Sequence, residues 1–276
     1  MSADVSTQAQ DAPYLELHQQ GGIATVTMNR GAQFNALSSG MLDALQRTLD
    51  SLAADPEVRV VVLGGAGRAF CAGHDLREMR ASPKREFYQR LFAQCTKMMR
   101  TIQTMPQPVI ARVHGIATAA GCQLVATCDL AVASDESRFA VSGVNLGLFC
   151  STPSVALSRN VARKKAFEML VTGDFISAAE ACERGLVNRV VPADRLDADI
   201  AALAAQIIAK PAVAIATGKS LFYRQLEMGT VAAYQLAGQA MACNMMDPAA
   251  LEGVQAFIEK RAPSWSGKPS AQPASR

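Results

Sequence analysis

Apolar and polar residues along this chain alternate, bunch and recur with changing period, and the changes divide it into elements. Tyr14 to His18 and Ile23 to Met28 alternate, and Gly21-Gly22 between them predicts a hairpin. Met41, Leu42, Leu45, Leu49 and Leu52 then recur at helical spacing behind Ser38-Ser39, which predicts a capped helix running to about Ala53 and stopped by Asp55-Pro56. Val58 to Leu63 is a continuous apolar run, the pattern of a strand buried on both faces. A long amphipathic helix follows from about Lys84 to Gln103, with Phe87, Leu91, Cys95, Met98, Met99 and Ile102 on one side, and Pro106 to Pro108 closes it.

The centre of the pattern is Val109 to Phe139. Val109 to Val113 reads as a strand, Ala117 to Gly121 as a close-approach turn of small residues, Ala119 to Ala126 as a buried helix, and Asp129 to Ala133 as a returning strand. A helix that begins at small residues presents free N–H groups and the positive end of its dipole, so this is a place for developing negative charge. Beyond it, Ser151 to Val161 and Arg163 to Val171 read as short helices, Ser177 to Arg184 as a capped helix ending at Gly185, and Val187 to Val191 as the last strand. Ala193 to Arg261 is helical throughout, with Pro211 and Asp247-Pro248 as starts, which predicts four helices. Around Val231 to Met246 more than one face is apolar, the mark of a helix that packs on a second copy.

Composition narrows the classes. Half of the 276 residues are hydrophobic, enough for a sizeable core, yet no uninterrupted apolar run is long enough for a membrane helix, so no membrane insertion is expected. A net charge of +3 without basic runs interleaved with aromatics implies no nucleic acid. Seven cysteines, odd in number and without CxxC spacing, point to a reducing cytoplasm, no disulfide framework and no metal. The first thirteen residues lack the pattern of a targeting peptide and read as a disordered tail, as do the Pro-, Ser- and Gly-rich residues 263–276. Gly64-Gly65-Ala66-Gly67 is no dinucleotide fingerprint, because Phe70 stands where its last glycine would fall.

Five stretches in order carry a resemblance: NRGAQFNAL from Asn29, AFCAGHDLREM from Ala69, GIATAAGCQLVATCDLAVAS from Gly115, LVTGDFISAAEACERGLVNRVVP from Leu170 and AFIEKR from Ala256. With these the sequence resembles the enoyl-CoA hydratase/isomerase, or crotonase, superfamily over nearly its whole length. AGCQLVATCD and GLFCSTP make it most similar to the enoyl-CoA hydratase domain-containing protein 3 group. The resemblance implies an α/β fold, a spiral of ββα repeats over 14–195, and an all-helical trimerisation region over 196–262, in homo-trimers that often pair into hexamers. It implies an acyl-CoA thioester as substrate or ligand and no tightly bound cofactor. It places the thioester carbonyl between the backbone N–H groups of His74 and Ala120, lines the CoA and acyl channel with Asp75, Leu76 and Arg77, and brings Phe257 and Lys260 to the CoA of the same or a neighbouring subunit.

The same comparison exposes a departure. Hydratases of this family use two glutamates as general base and acid, and here those positions are Gln123 and Gly143. An amide moves no proton near neutral pH and glycine has no side chain, so ordinary hydratase turnover is not expected. A further family position for a functional group falls near Ser151. The expectation is therefore a weak hydratase, or an enzyme of another enolate chemistry such as decarboxylation or isomerisation, against the alternative of a non-catalytic acyl-CoA-binding or interaction protein. The plainer readings of the same residues are that His74 contributes only its N–H, that Asp75 braces a turn, that Cys150 and Ser151 pack and cap, and that His18 and His114 are structural.

Overall fold

The computed structural model describes residues 13–266, so most of both expected tails lies outside the described residues. The hairpin forms as β1 (Leu15–Gln20) and β2 (Ile23–Met28), turning through Gly21 and Gly22 at φ +58° and +81°. Helix α1 (Ser39–Ala53) starts where Ser38 accepts a hydrogen bond from the Met41 N–H, and it buries Met41, Leu42, Leu45, Leu49 and Leu52. There follow β3 (Val60–Gly65), β4 (Ala69–Cys71), α2 (Leu76–Ala81) and α3 (Arg85–Thr104), then β5 (Val109–Val113), β6 (Ile116–Thr118) and α4 (Ala120–Thr127). The next turn of the chain is β7 (Leu130–Ser134), β8 (Arg138–Ala140), α5 (Ser151–Asn160) and α6 (Arg163–Thr172). Strand β9 (Ile176–Ser177), α7 (Ala178–Glu183) and β10 (Arg189–Val191) complete the sheets, and Ser177 with Glu180 caps α7 reciprocally.

Two sheets result, one of six strands in the order β1-β2-β3-β5-β7-β10 and one of four in the order β4-β6-β8-β9. Each of β3, β5 and β7 in the large sheet is followed by a short strand of the small sheet and then by helix, which is the ββα spiral. Period-two alternation gives the large sheet two apolar faces. Val26, Met28, Val61, Leu63, Val109, Ala111 and Val113 belong to the main core with α1 and α3. Val60, Val62, Ile110 and Val132 face the other way and need their own cover.

That cover is α8 (Leu196–Ile208), whose Leu196, Ile200, Leu203 and Ala204 pack on them. The remaining helices are α9 (Ala212–Leu226), α10 (Thr230–Met245) and α11 (Pro248–Ile258), followed by a 3₁₀ turn at Ser264–Ser266 whose Trp265 lies against Gly253. A buried ion pair ties α9 to the spiral. Lys219 Nζ donates to Asp129 Oδ2 at 2.6 Å and to the carbonyls of Ile102 and Gln107 at 2.7 and 2.8 Å, while Tyr223 and the Val109 N–H donate to the same carboxylate. Burial holds the Asp129 carboxyl above its ordinary range and the Lys219 ammonium below its own, so each charge tolerates its place only through the other. Lys219→Ala strands a buried carboxylate and is expected to lower unfolding stability in urea titrations by about 3–5 kcal/mol.

Candidate active site

Parallel pairing of β4 with β6 and of β6 with β8 puts the C-terminal ends of three short strands side by side, where the chain leaves the small sheet toward helices. Of the positions singled out in the sequence, His74, Ala120, Gln123 and Gly143 fall on or just beyond those three turns.

The first turn runs from Ala72 through His74 to the start of α2. It is held by the segment after Arg30: Ala72 N–H donates to Phe34 O at 3.0 Å, Leu37 N–H to Gly73 O at 2.7 Å, and Asp75 N–H to Leu37 O at 3.4 Å. These bonds occupy the peptides on either side of His74, whose own N–H donates to no backbone carbonyl among the described residues. Behind them stands Asn35, fully buried and left-handed at φ +54°. Its Nδ2 donates to the carbonyls of Ala66, Ala69 and Phe70 at 2.9, 2.8 and 3.2 Å, and its Oδ1 accepts from the Arg30 N–H at 3.0 Å. Asn35 thereby fastens the bracing segment to β4. Its motif is visible in the sequence, but this role is not; the sign that points to it is an asparagine, a residue tolerant of the left-handed region, set between the apolar Phe34 and Ala36.

The second turn joins β6 to α4. Ala119 sits at φ +52° and ψ −120°, a costly conformation for a residue with a Cβ, and its N–H is spent on Ala140 O at 3.0 Å. The next N–H, that of Ala120, donates to no backbone carbonyl among the described residues, as expected at the first position of a helix. Glycines let the two turns touch. A Cβ at Gly73 would lie 3.2 Å from the Ala120 nitrogen and 3.0 Å from Ala119 Cβ, and one at Gly121 would lie 2.1 Å from Cys71 O. The free N–H groups of His74 and Ala120 therefore belong to backbone segments in direct contact.

The imidazole of His74 is turned onto other elements. Its Nδ1 is 3.3 Å from Leu37 O, and its ring meets Phe92 edge-on with centroids 5.4 Å apart. A carbonyl oxygen only accepts, so Nδ1 carries the proton and Nε2 the lone pair; Nε2 is buried without a partner. Burial holds this histidine below its ordinary value of 6.5. The unfolded chain thus binds the proton more readily, and the resulting stability is fully present above pH 6.5 and lost as pH falls below it. Comparison of His74→Gln with the unaltered chain in urea titrations at pH 7.5 and 5.5 is expected to show the stability loss on acidification reduced in the variant.

Gln123 is 6 % exposed, three residues into α4 beyond Ala120, and its Oε1 has no hydrogen-bond partner among the described residues. On the third turn, Gly143 has no room for a side chain: a Cβ there would lie 2.5 Å from Leu148 O and 2.7 Å from Cys150 Sγ. Burial pushes the Cys150 thiol up from its ordinary value, and burial pushes the thiol of Cys122 up to about 12, which suits packing and not nucleophilic attack. Ser151 begins α5, and its hydroxyl donates to Phe149 O at 3.3 Å. Asp75 caps α2, accepting from the N–H groups of Arg77 and Glu78 at 2.8 and 3.1 Å, while Leu76 and Arg77 are exposed. The structure thus gathers His74, Ala120, Gln123 and Gly143 on adjoining turns. Phe257, 85 % exposed, lies on α11 and lines a groove with Pro211, Val213 and Trp265, and the exposed Lys260 follows it at φ +56°. Among the described residues no group of three His, Cys, Asp or Glu side chains could hold a metal ion, and no single helix is long and apolar enough to cross a membrane.

Known proteins resemble this chain over most of its length. Residues 18–268 match the model of the family described as enoyl-CoA hydratase/isomerase. The chain is 46 % identical to the Xenopus laevis protein named enoyl-CoA hydratase domain-containing protein 3, mitochondrial, over 95 % of this chain and 89 % of that one. A crystal structure described as the enoyl-CoA hydratase of Mycobacterium smegmatis is 62 % identical and superposes with a TM-score of 0.91, covering 92 % of this chain and 99 % of that one. That of human enoyl-CoA hydratase domain-containing protein 3 is 43 % identical, with a TM-score of 0.88 and coverage of 91 % and 100 %. The vertebrate relatives of this name are mitochondrial, which overturns the cytoplasmic placement expected from the cysteines. Free thiols report reducing surroundings and do not tell one reducing compartment from another. The sequence motifs, the ββα spiral and these likenesses agree: the chain belongs to the enoyl-CoA hydratase/isomerase family.

Proposed function

We propose that this protein binds an acyl-CoA thioester with its carbonyl oxygen between the N–H groups of His74 and Ala120, and stabilises the enolate formed there. The observation that carries this reading is the contact of two glycine-relieved turns, each contributing an N–H that no backbone carbonyl of the described residues occupies. Fixed donors of this kind act where charge develops, and each is typically worth on the order of 100- to 1000-fold in rate. The donors are backbone, so the identity of the side chains at 74 and 120 is secondary to the shape of the turns. Asp75 supports the first turn of α2 by accepting from the N–H groups of Arg77 and Glu78.

Without a carboxylate at 123 or 143, the reaction best suited to the site is loss of a carboxylate, in which departing carbon dioxide leaves its bonding electron pair as the enolate without a protein base; migration of a double bond needs a group to take a proton and suits the site less well. A panel of acyl-CoA thioesters, scored for thermal stabilisation and for turnover, tests this directly. Turnover of at least one ester is the expected result. Stabilisation by several esters with turnover of none would favour a binding protein, and stabilisation by none would remove the acyl-CoA reading.

The helical region belongs to the same proposal. Helix α10 has no buried residue, and Val231, Tyr234, Met241 and Met246 on or beside it are exposed, as are Phe257 and Ile258. So much apolar surface on consecutive helices fits burial against further copies in a homo-trimer, alone or paired into a hexamer. Light scattering on the eluting protein is expected to give a mass three or six times 29.2 kDa; a monomer at micromolar concentration would contradict it.

A further inference from the structure

Gln123 presents a chemistry that the two N–H groups do not account for. It lies one helical turn beyond Ala120, and side chains three apart share a helix face while every Cα–Cβ bond tilts toward the N-terminus, so its amide is carried back over the start of α4. The residue is 6 % exposed, and its amide oxygen is buried without a hydrogen-bond partner among the described residues. A buried polar group without a partner is costly, and at a ligand site the partner is the ligand. Thr118 and Ser142, whose hydroxyls share a hydrogen bond at 2.9 Å, make none with Gln123 among the described residues. On the third turn, Gly143 has no side chain to offer and no space to gain one.

We infer that Gln123 is a specificity-determining residue, and that the acyl group taken here carries a hydrogen-bonding substituent close to the thioester: a hydroxyl, a keto oxygen or a carboxylate. An amide both donates and accepts, so it pairs with any of these, and it has no negative charge to repel the last. A plain hydrocarbon chain would leave the amide as unpaired as it is now. This inference rests on the acyl-CoA reading of the site.

The test is calorimetric titration of the full chain with butanoyl-CoA against 3-hydroxybutanoyl-CoA, 3-oxobutanoyl-CoA and malonyl-CoA. At least one polar ester is expected to bind roughly 10- to 100-fold more tightly than butanoyl-CoA, the range set by satisfying a buried polar group. The identity of the favoured ester separates hydroxyl, keto and carboxylate. In Gln123→Met, similar in volume and apolar, the preference is expected to fall to within about 3-fold with butanoyl-CoA affinity retained. Binding of butanoyl-CoA as tightly as every polar ester overturns the inference while leaving the acyl-CoA reading intact. A preference that survives in Gln123→Met overturns it too, whereas failure of all four esters to bind overturns both. The ester comparison on the unaltered chain decides independently of how well the variant folds.

Discussion

Changing Gly121 to alanine is expected to weaken the polarisation of a bound thioester carbonyl and to reduce any enolate-forming turnover by on the order of 100- to 1000-fold, the loss of one fixed donor. The added Cβ would stand 2.1 Å from the Cys71 carbonyl oxygen and 2.9 Å from Cys71 Cβ, so α4 and β4 must separate. Neither side yields cheaply, because Cys71 is buried in the small sheet and Cys122, Leu124 and Val125 hold α4 in the core. Separation moves the Ala120 N–H away from that of His74. Infrared difference spectra with a carbon-13 thioester carbonyl read this directly, since two fixed donors lower the stretching frequency and one lowers it less. Gly218→Ala in α9, where an added Cβ meets nothing within 4 Å, is the control expected to leave the spectrum unchanged.

Hydration of a short enoyl-CoA is expected to run about 100- to 10,000-fold slower than in a family member with both glutamates. That is the contribution of general acid–base catalysis, counted once because the two groups act as a unit. The deficit has two different physical origins. At Gln123 it is chemical: the side chain is of the right size and buried, but an amide neither takes nor gives a proton. At Gly143 it is steric, since Leu148 O and Cys150 Sγ occupy the space a Cβ would need. Gly143→Glu is therefore expected to lower the melting temperature without raising the hydration rate, and steady-state assays on a trans-2-enoyl-CoA check both. A wild-type rate equal to that of a relative with both glutamates would mean that another group moves the proton.

Much of this site was legible before the fold was known, and the limits of that reading are physical. Long elements announce themselves by period, so α1 with its Ser38 cap, α3, the hairpin and the four terminal helices fall where the pattern puts them. Strands β4, β6, β8 and β9 do not, because two or three residues cannot display an alternation. Their place is dictated by packing between the large sheet and the helices, yet β4 and β6 are the strands that deliver His74 and Ala120. The family motifs supplied those two positions without the strands. Asn35 and Lys219 were beyond reach for another reason. Their partners lie about 30 or more residues away, as with Asn35 to Ala66 and Lys219 to Asp129. Only the folded chain shows that one braces the first turn and the other locks α9 to the spiral. The cytoplasmic placement failed because cysteine usage measures redox conditions and carries no address.

The central claim is that one carbonyl oxygen is held by two backbone N–H groups on adjoining turns. A crystal structure of the full chain with a non-reactive acyl-CoA analogue measures this most directly. The account predicts the acyl carbonyl oxygen at about 3 Å from the nitrogens of both His74 and Ala120. An acyl-CoA seated with its carbonyl oxygen out of hydrogen-bond reach of either nitrogen would contradict it.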